Sequence, residues 1–504
     1  MATVETAGAG APLERFGHVI AGAEVFPAGG PTFVSVNPTT GKAWAEFPLG
    51  DAETIEEAVA AAAAAFEDPR WAGLSATRRG RLLMRWGDAI AANAERIGRL
   101  ECTQNGKLPA EMILQSKIVC DWLYYYGGLA DKIEGQVIPL DRTSVLNYTR
   151  REPLGVVGAI TPWNSPLFLT IMAVAPALAA GNTVVIKPSE ITPVGPILAA
   201  KLAAEVGFPP GVINVVAGER AAGEALVDHP QVAKIAFTGG VEGGRAIAQR
   251  AGRRLARVTL ELGGKSANIV FPDAPLEQAK AGLLAGIFAA AGQTCVAGSR
   301  ALVHAKLFDE LVDWVGQQAK GIRLGSPFDA DTQMGPVASS GQLAKNLSMV
   351  ERARAEGAEL VAGGVRASVG GYPDGFFFAP TVLTKVDPAS FIAQNEVFGP
   401  VLSVIPFTDE EEAITIANAT DFGLAAGVWT SDIRRAHRMA HKLKAGTVWV
   451  NTYRGMAFNS PFGGYKQSGI GRQNGIEAMD AYLQTKSIWV ELSEDIQNPF
   501  VMRS

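Results

Sequence analysis

Cysteine is scarce in this sequence: its 504 residues include only Cys102, Cys120 and Cys295. Their odd number and wide spacing exclude a disulfide framework, and no C-x-x-C pair is present to bind a metal. Histidine is almost as rare, with five residues. His437 and His441 lie four residues apart, but they lack the glutamate and the third ligand of a zinc site. We therefore expect no metal cofactor and a reducing, cytoplasmic environment.

An excess of basic residues is also lacking, because 45 Lys and Arg stand against 50 Asp and Glu, for a formal net charge of −5. Without a basic stripe we expect no nucleic-acid partner. Long apolar runs are missing too: residues 167–180 are interrupted by Pro176, and the run 58–66 is too short to cross a bilayer. The first residues show neither the basic nor the apolar region of a secretion signal. We therefore expect no membrane partner.

The composition is that of a globular protein, with 48% hydrophobic and 19% charged residues. A chain of this length is too long for one core and predicts two or three domains.

Short apolar runs alternate with segments of helical periodicity between residues 154 and 262, and Gly or Pro separates them. This alternation predicts an α/β fold with a parallel, doubly wound sheet, which binds ligands at the carboxyl ends of its strands. A second α/β series follows. The predicted strands are 154–160, 183–187, 212–216, 232–237 and 257–262 in the first series and 300–304, 378–383, 401–407 and 446–451 in the second. The predicted helices are 53–67, 75–105, 167–180, 195–207, 221–228, 242–251, 275–290, 307–319, 341–356, 409–418 and 431–442.

Two extended segments fit neither series. Residues 135–152 predict a long hairpin that turns at 141–144, and residues 481–492 predict a further strand. Polar residues alternate along both, so each has one face to bury. Because an exposed hairpin is marginal alone and invites strand pairing, we expect a homo-oligomer. A hairpin folded back on its own subunit is the alternative.

Polar side chains stand where the first predicted strands end. Asn164, in TPWNSP, precedes a helix; its amide suits a developing oxyanion, or it only caps the helix. Lys187 and Glu190, in IKPSE, suit ribose hydroxyls, or they are a solvated loop pair. If the site binds a nucleotide, the Glu190 carboxylate would repel a 2′-phosphate and favour NAD over NADP.

Glycines and a carboxylate follow at the next two strand ends. The segment AFTGGVEGG, residues 236–244, departs from G-x-G-x-x-G, yet its glycines let a phosphate approach backbone amides at a helix N-terminus. Glu261, in LELGGKS, ends an apolar strand. A partly desolvated carboxylate in that place is a candidate general base, and a structural carboxylate is the alternative.

Cys295 lies in AGQTCVAGSR, where small neighbours leave its sulfur unshielded. A thiol activated by a helix N-terminus or by a nearby cationic ring would serve as a nucleophile. A cysteine that only fills space in the core is the alternative.

Seven motifs occur together and in order: PWNSP, KPSE, FTGG, LELGGKS, GQTC, NEVFGPV and SPFGGYKQSGIGR. With them the chain resembles the aldehyde dehydrogenase superfamily from about residue 20 to residue 495. The resemblance implies a Rossmann-like doubly wound cofactor domain, a second α/β catalytic domain and a small β oligomerisation hairpin. The implied boundaries are 1–130 with 152–260 for NAD binding, 261–478 for catalysis, and 131–151 with 479–504 for assembly into a homodimer or homotetramer.

The resemblance also implies a hydrolytic oxidation of a small-molecule aldehyde with NAD. The Cys295 thiolate attacks the carbonyl, while the Asn164 side chain and the Cys295 backbone N–H hold the oxyanion. Hydride then leaves for the nicotinamide, and Glu261 activates the water that hydrolyses the thioester. A CoA-acylating relative and a non-catalytic protein on the same fold are the alternatives.

Further residues are assigned by the same resemblance. Lys187 and Glu190 would hold the adenine ribose and Glu396 the nicotinamide ribose. Phe398 would pack near the nicotinamide, and Trp163 would lie by the cofactor's phosphates. Gly239 and Gly240 would lie at the pyrophosphate. The implied aldehyde channel contains Phe168, Leu169, Met172 and Phe462, with Tyr453 and Arg454 nearby. Such a channel fits a medium or large, partly apolar aldehyde, and we expect one from the breakdown of an aromatic or heterocyclic compound.

Three positions depart from the family pattern. Gly240 stands where a serine is frequent, so one hydroxyl contact to phosphate is lost. Ala173 and Gln473 stand where many relatives carry Lys and Glu, two charges treated as a proton path. We therefore expect Glu261 to pass its proton directly to water.

Overall fold

The computed structural model describes residues 12–494 and residue 500. Its two large sheets have eight and seven strands, most of them parallel, with helices packed against them. The predicted α/β class is confirmed.

The eight-stranded sheet contains every predicted strand of the first series. Five parallel strands form its centre, in the order Arg257–Glu261, Val232–Thr238, Val156–Thr161, Thr183–Pro188 and Ile213–Val215. Antiparallel strands complete the edges: Gly469–Ile470 beside the first of these, and His18–Ile20 with Ala23–Val25 beside the last.

Both faces of this sheet are buried. All six residues of Val156–Thr161 are buried, and alternate residues belong to different core clusters. Val157 and Ala159 pack in the cluster that includes the helix Pro166–Ala179, whereas Val156 and Ile160 pack in the opposite one. The sequence of a strand that is buried on both faces is a continuous apolar run, because its side chains point alternately into two cores.

The seven-stranded sheet follows later in the chain. Its order is Glu359–Ala362, Thr381–Thr384, Val401–Phe407, Arg300–His304, Ala267–Val270, Ala425–Trp429 and Thr447–Val450, with only the first strand antiparallel. Two of its interior strands, Ala267–Val270 and Ala425–Trp429, were not predicted. Both are short, and the second consists largely of Ala and Gly, so neither has a strong β pattern.

The two extended segments that fit neither series pair with each other. Leu483–Glu491 runs antiparallel to Val145–Pro153 over nine residue pairs, and Val137–Ile138 adds a third strand. The hairpin is therefore confirmed, and the C-terminal strand supplies a partner that the sequence did not predict. Trp489 on this outer strand is 63% exposed.

The longer helices agree with the predicted pattern, with three differences. The predicted helix 75–105 is two helices that meet at Asn93, the predicted helix 275–290 ends at Ile287, and Pro109–Leu129 was not predicted. Three helices of four residues were not predicted either: Pro69–Ala72, Phe391–Gln394 and Glu477–Asp480. The α-helices are Ala52–Glu67, Pro69–Ala72, Ala76–Ala92, Ala94–Asn105, Pro109–Leu129, Pro166–Ala179, Val194–Glu205, Arg220–Asp228, Val241–Arg253, Leu276–Ile287, Phe308–Gly321, Ser340–Ala355, Phe391–Gln394, Glu410–Asn418, Ile433–Lys442 and Glu477–Asp480.

Smaller elements complete the described chain. Short 3-10 turns are Ala130–Lys132, Ala289–Gly292 and Ala305–Leu307. Glu14–Arg15, Lys42–Pro48 and Thr32–Asn37 form a three-stranded sheet, and Phe422–Gly423 pairs with Tyr465–Lys466. Within residues 12–494 and 500, no helix is both long enough and apolar enough to cross a membrane.

Candidate active site

The carboxyl edge of the eight-stranded sheet carries the first two candidate residues. Glu261 is the last residue of Arg257–Glu261, and Asn164 follows the strand Val156–Thr161 two places away. Since parallel strands end at the same edge, both side chains are placed at one rim of the sheet.

The segment that contains Cys295 reaches this rim from the second half of the chain. It follows a turn in which Ala290 and Ala291 have positive φ angles of 56° and 52°. The Asn164 Nδ2 donates a hydrogen bond of 3.2 Å to the carbonyl oxygen of Gln293. This contact holds the Asn164 amide, which is 5% exposed, two residues from Cys295.

Cys295 is half-buried, and the carboxyl groups of two acids act on its thiol. Burial first, and then the carboxyl groups of Glu396 and Glu261, raise the pKa of the thiol to about 12. In this environment the thiol is protonated at neutral pH, so its use as a nucleophile requires a base that takes the proton.

The carboxyl group of Glu261 is buried and lacks hydrogen bonds to the described residues. Its side chain is 3% exposed, and neither carboxyl oxygen has a hydrogen-bond partner within the described residues. Burial raises its pKa well above the usual range, and Arg472 opposes this shift. A Cβ on Gly463 would lie 2.8 Å from Glu261 Oε1, so the glycine leaves the space beside the carboxyl free.

The loop after Glu261 contacts the third acid of the site. The Gly264 N–H donates to Glu396 Oε1 at 2.9 Å, and a Cβ on Gly263 would lie 2.3 Å from Glu396 Oε2. Burial raises the pKa of Glu396. Gly263 thus leaves room for a carboxyl group that comes from a distant part of the chain, and the Gly264 N–H binds this group.

Two aromatic side chains meet at the same place. The rings of Trp163 and Phe398 lie 5.2 Å apart between centroids and are nearly perpendicular, at 85°. Phe398 has a φ of 61°, a left-handed conformation that is uncommon for a bulky residue. This strain in a residue of the candidate site is typical of functional positions.

Lys187 and Glu190 lie at the end of the neighbouring strand Thr183–Pro188. The Lys187 Nζ is 3.6 Å from Glu190 Oε2. Burial lowers the pKa of Lys187, and Glu190 opposes this shift. The lysine is buried whereas the side chain of Glu190 is 44% exposed, so its carboxylate is open to a ligand.

The two glycines of the FTGG segment differ in their surroundings. A Cβ on Gly239 would lie 2.4 Å from the ring of Phe237, whereas a Cβ on Gly240 would meet no atom within 4 Å. Gly240 is the N-cap of the helix Val241–Arg253. The positive end of this helix dipole and its free N–H groups suit a phosphate.

The predicted channel residues do not share one environment. Phe168 is half-buried and packs edge to face on Trp122, with ring centroids 4.9 Å apart. Leu169, Met172 and Phe462 are almost fully buried, with 8%, 0% and 6% exposure.

The sequence did not predict Trp122, which packs on Phe168, or Phe458, which packs on Trp122. The ring centroids of Trp122 and Phe458 are 5.9 Å apart. Trp122 lies on Pro109–Leu129, a helix for which no prediction was made, and Phe458 lies in a loop. No local signal identifies either residue.

Tyr453 and Arg454 are engaged with the protein itself. The Tyr453 hydroxyl donates to the carbonyl oxygen of Val296 at 3.1 Å and so contacts the segment of the candidate nucleophile. The Arg454 Nη1 donates to the carbonyl oxygen of Ala285 at 3.2 Å. Its Nη2 lies 3.9 Å from Glu111 Oε1.

The two neutral positions, Ala173 and Gln473, are buried, with 2% and 3% exposure. The carbonyl oxygen of Ala173 accepts a hydrogen bond of 2.8 Å from the Tyr482 hydroxyl. In the part of the chain that the structure describes, no group of three or more His, Cys, Asp or Glu side chains is arranged to bind a metal ion.

Comparison with known sequences gives one family. The model of the "Aldehyde dehydrogenase family" matches residues 26–488. A relative from Acinetobacter baylyi, named (Z)-2-((N-methylformamido)methylene)-5-hydroxybutyrolactone dehydrogenase, is 45% identical over 482 residues, 95% of this chain and 98% of that protein. An aldehyde dehydrogenase from Enchytraeus buchholzi is 47% identical over 465 residues, 92% of this chain and 93% of the relative.

Comparison with solved structures agrees. An NAD+ complex of aldehyde dehydrogenase from Bacillus cereus has a TM-score of 0.93 and 43% identity, and the match covers 95% of this chain and 97% of that one. A betaine aldehyde dehydrogenase from Staphylococcus aureus in complex with NAD+ has a TM-score of 0.94 and 40% identity, with coverage of 96% and 97%.

Proposed function

This chain belongs to the aldehyde dehydrogenase family, and we propose that it oxidises its aldehyde to the carboxylic acid through a thioester on Cys295. The observation that carries the proposal is the meeting of three chain-distant groups at one rim. Asn164 is held beside the Cys295 segment, and the unpartnered carboxyl of Glu261 acts on the same thiol.

The first half of the reaction uses Cys295 and Asn164. When the thiol loses its proton to a base, the sulfur bonds to the carbonyl carbon of the aldehyde. The Asn164 amide and the Cys295 N–H donate to the oxyanion. Bound NAD+ supplies the hydride acceptor, and a thioester on Cys295 remains.

The second half uses Glu261. In its ionised form the carboxyl takes a proton from water, and the hydroxide attacks the thioester carbon, which breaks the carbon–sulfur bond. A raised pKa suits this role because a more basic carboxylate takes a proton from water more readily. The free acid is then released.

The residues present fit a dinucleotide. Glu190 offers an exposed carboxylate for ribose hydroxyls, and Gly240 leaves open space before a helix N-terminus. Glu396 would hold the second ribose. The solved NAD+ complexes of relatives support NAD as the cofactor. We propose that NAD is preferred over NADP because the Glu190 carboxylate repels a 2′-phosphate.

The proposed substrate is a medium or large, partly apolar aldehyde. The aromatic side chains of Trp122, Phe168 and Phe458 support this size and polarity. The Acinetobacter baylyi relative is named for a ring compound with an amide side group, which supports an aldehyde from heterocyclic or aromatic breakdown. We propose that Arg454 contacts a polar group on it only weakly, since Glu111 and Ala285 already take its guanidinium.

The proposal is tested by trapping the intermediate. We expect wild-type enzyme to form NADH and free acid in equal amounts from an aldehyde panel. In Cys295→Ala, turnover falls by at least about 10³-fold. Intact-mass spectrometry of Glu261→Gln should show the acyl adduct on the protein, and the same adduct must be absent from the double variant with Cys295→Ala. Full NADH formation by Cys295→Ala would contradict the proposal.

The same assay separates the CoA-acylating alternative. We expect free acid as the product in the presence of CoA, because a buried base beside the thioester activates water. Acyl-CoA as the main product would reverse this part of the proposal.

We also propose a homodimer or homotetramer in the cytoplasm. The outer strand Leu483–Glu491 leaves Trp489 exposed, which supports pairing with another copy. The three cysteines are free, which supports a reducing compartment. Light scattering after size exclusion measures the assembly directly.

A further inference from the structure

A line of buried polar side chains lies along one face of two neighbouring strands behind Glu261. In the parallel pair, Ala236 is opposite Thr259 and Thr238 is opposite Glu261. Side chains two residues apart on a strand point to the same face, as do directly paired residues. Lys234, Thr259 and Glu261 therefore share a face, and they are 1%, 2% and 3% exposed.

The two ends of this line differ in their contacts. The Lys234 Nζ donates to Thr259 Oγ1 at 2.7 Å and lies 4.9 Å from the centre of the Tyr482 ring. At the other end, both oxygens of Glu261 are unpartnered in the described chain. The lysine is thus tied to the hydroxyl in the middle of the line, while the acid is free to contact water.

Few charged groups surround the lysine. Arg257 on the neighbouring strand acts on it electrostatically, and Tyr482 covers it from the C-terminal segment. The strand Val156–Thr161 and the helix Pro166–Ala179, which pack on this face, contain no titratable residue. Among the described residues no Asp or Glu pairs with Lys234. A buried ammonium group without such a partner is costly, so the environment favours the neutral amine.

The proton affinities of the two ends converge. Burial and then Arg257 lower the pKa of Lys234 to about 7, while burial raises that of Glu261. Both shifts reduce the difference in proton affinity between the carboxyl and the amine, which favours proton exchange between them.

Hydrolysis of the thioester leaves a proton on Glu261 that must depart before the next cycle. Ala173 and Gln473 are neutral and buried, so these two positions offer no charged group that would carry it.

Resting on the proposed function, we propose that Lys234 is a positioning residue that receives the proton of Glu261 through the Thr259 hydroxyl and one bridging water. The carboxyl gives H⁺ to the water, which passes a proton to the hydroxyl. The hydroxyl gives its own proton to the neutral amine, and no electrons change hands. The ammonium returns the proton to solvent at the open end of the strand pair, where Arg257 is exposed.

Stopped-flow NADH formation in Lys234→Met tests this inference. We expect one NADH per active site at the wild-type rate, followed by steady turnover slowed about 100-fold. The limb of the pH–rate profile near pH 7 should shift, which a purely structural loss would not cause. Unchanged steady turnover with an unchanged pH profile would overturn the inference.

Thr259→Val keeps the test decisive if Lys234→Met does not fold, because it removes only the hydroxyl. We expect the same burst and slow phase. The matched control is Thr183→Val on another strand of the same sheet. It removes a buried hydroxyl that donates to the carbonyl oxygen of Ala62 in the helix Ala52–Glu67. A control variant with the same burst and slow phase would overturn the inference.

Charges at 173 and 473 give the complementary test. In an Ala173→Lys, Gln473→Glu background, Lys234→Met should slow turnover less than about 10-fold, since a second path then exists. An undiminished effect would overturn the relay. Absence of both the initial NADH burst and the acyl adduct in Glu261→Gln, in which hydrolysis is blocked, would instead contradict the proposed function, so the two failures are distinguishable.

Discussion

Two glutamates of this protein are buried to a similar degree, yet their contacts differ. Glu101 is 1% exposed, and its Oε1 accepts a hydrogen bond of 2.8 Å from the Leu167 N–H at the start of the helix Pro166–Ala179. Glu261 is 3% exposed and has no partner in the described residues. The first carboxyl anchors a helix end, whereas the second is unsatisfied at a cost in stability.

In our proposal the Glu101 carboxyl stabilises the fold and the Glu261 carboxyl takes part in the reaction. Buried polar groups are almost always hydrogen-bonded, so an unbonded one in a native fold calls for another explanation. At Glu261 that explanation is the water that our proposal places there. We therefore expect removal of the Glu101 carboxyl to lower stability and removal of the Glu261 carboxyl to lower activity.

The largest expected effect is on turnover. Glu261→Gln keeps the shape but cannot take a proton, and we expect hydrolysis to slow by about 10²–10⁴-fold. Steady-state acid formation measures this, with NADH-burst amplitude as the check that Cys295 still reacts. A variant with full turnover would make Glu261 a structural residue after all.

The next effect is on stability. Glu101→Ala leaves the Leu167 N–H without its acceptor and opens a cavity, so we expect a loss of about 2–4 kcal/mol in the free energy of unfolding. Chemical denaturation measures it. Glu101→Gln is the matched control, because its amide oxygen still accepts; equal losses in both variants would refute the anchoring role.

The third prediction concerns pH. Burial raises the pKa of Glu101 to about 8, so the folded state keeps a proton that the unfolded chain loses above about 4.5. Its contribution to stability is therefore fully present below about pH 4.5 and declines as the pH rises toward 8. The Glu101→Gln variant should show a flatter dependence of unfolding free energy on pH over this range. Parallel curves for variant and wild type would show that the carboxyl does not titrate this way.

The smallest expected effect lies at the cofactor side. Since a Cβ on Gly240 meets no atom within 4 Å, Gly240→Ser fits and offers one more hydroxyl to a phosphate. We expect the KM for NAD to fall about 2–5-fold with kcat little changed, in line with the net gain from one added hydrogen bond. Gly239→Ser is the control, because the Phe237 ring blocks it; an improved KM there would contradict this account of the turn.

The sequence predicted those candidate site residues whose position along the chain, at a strand end or in a loop of small residues, indicates a functional role. Asn164, Glu261 and Cys295 follow strands or stand in small-residue loops, and the structure places all three near one rim. The domain boundaries and the role of each site residue stay predictions. Trp122 and Lys234 escaped prediction because nothing in their neighbourhood along the chain marks them.

The sequence by itself determined the α/β alternation, since strand and helix periodicities are local properties of the side-chain pattern. Only the tertiary structure decided that Glu396 meets Gly263 and Gly264, and that Leu483–Glu491 pairs with Val145–Pro153. It also decided that Glu261 has no hydrogen-bond partner among residues 12–494 and 500. The physical reason is that burial, desolvation and hydrogen-bond satisfaction depend on groups far apart in the chain, and packing alone brings those groups together.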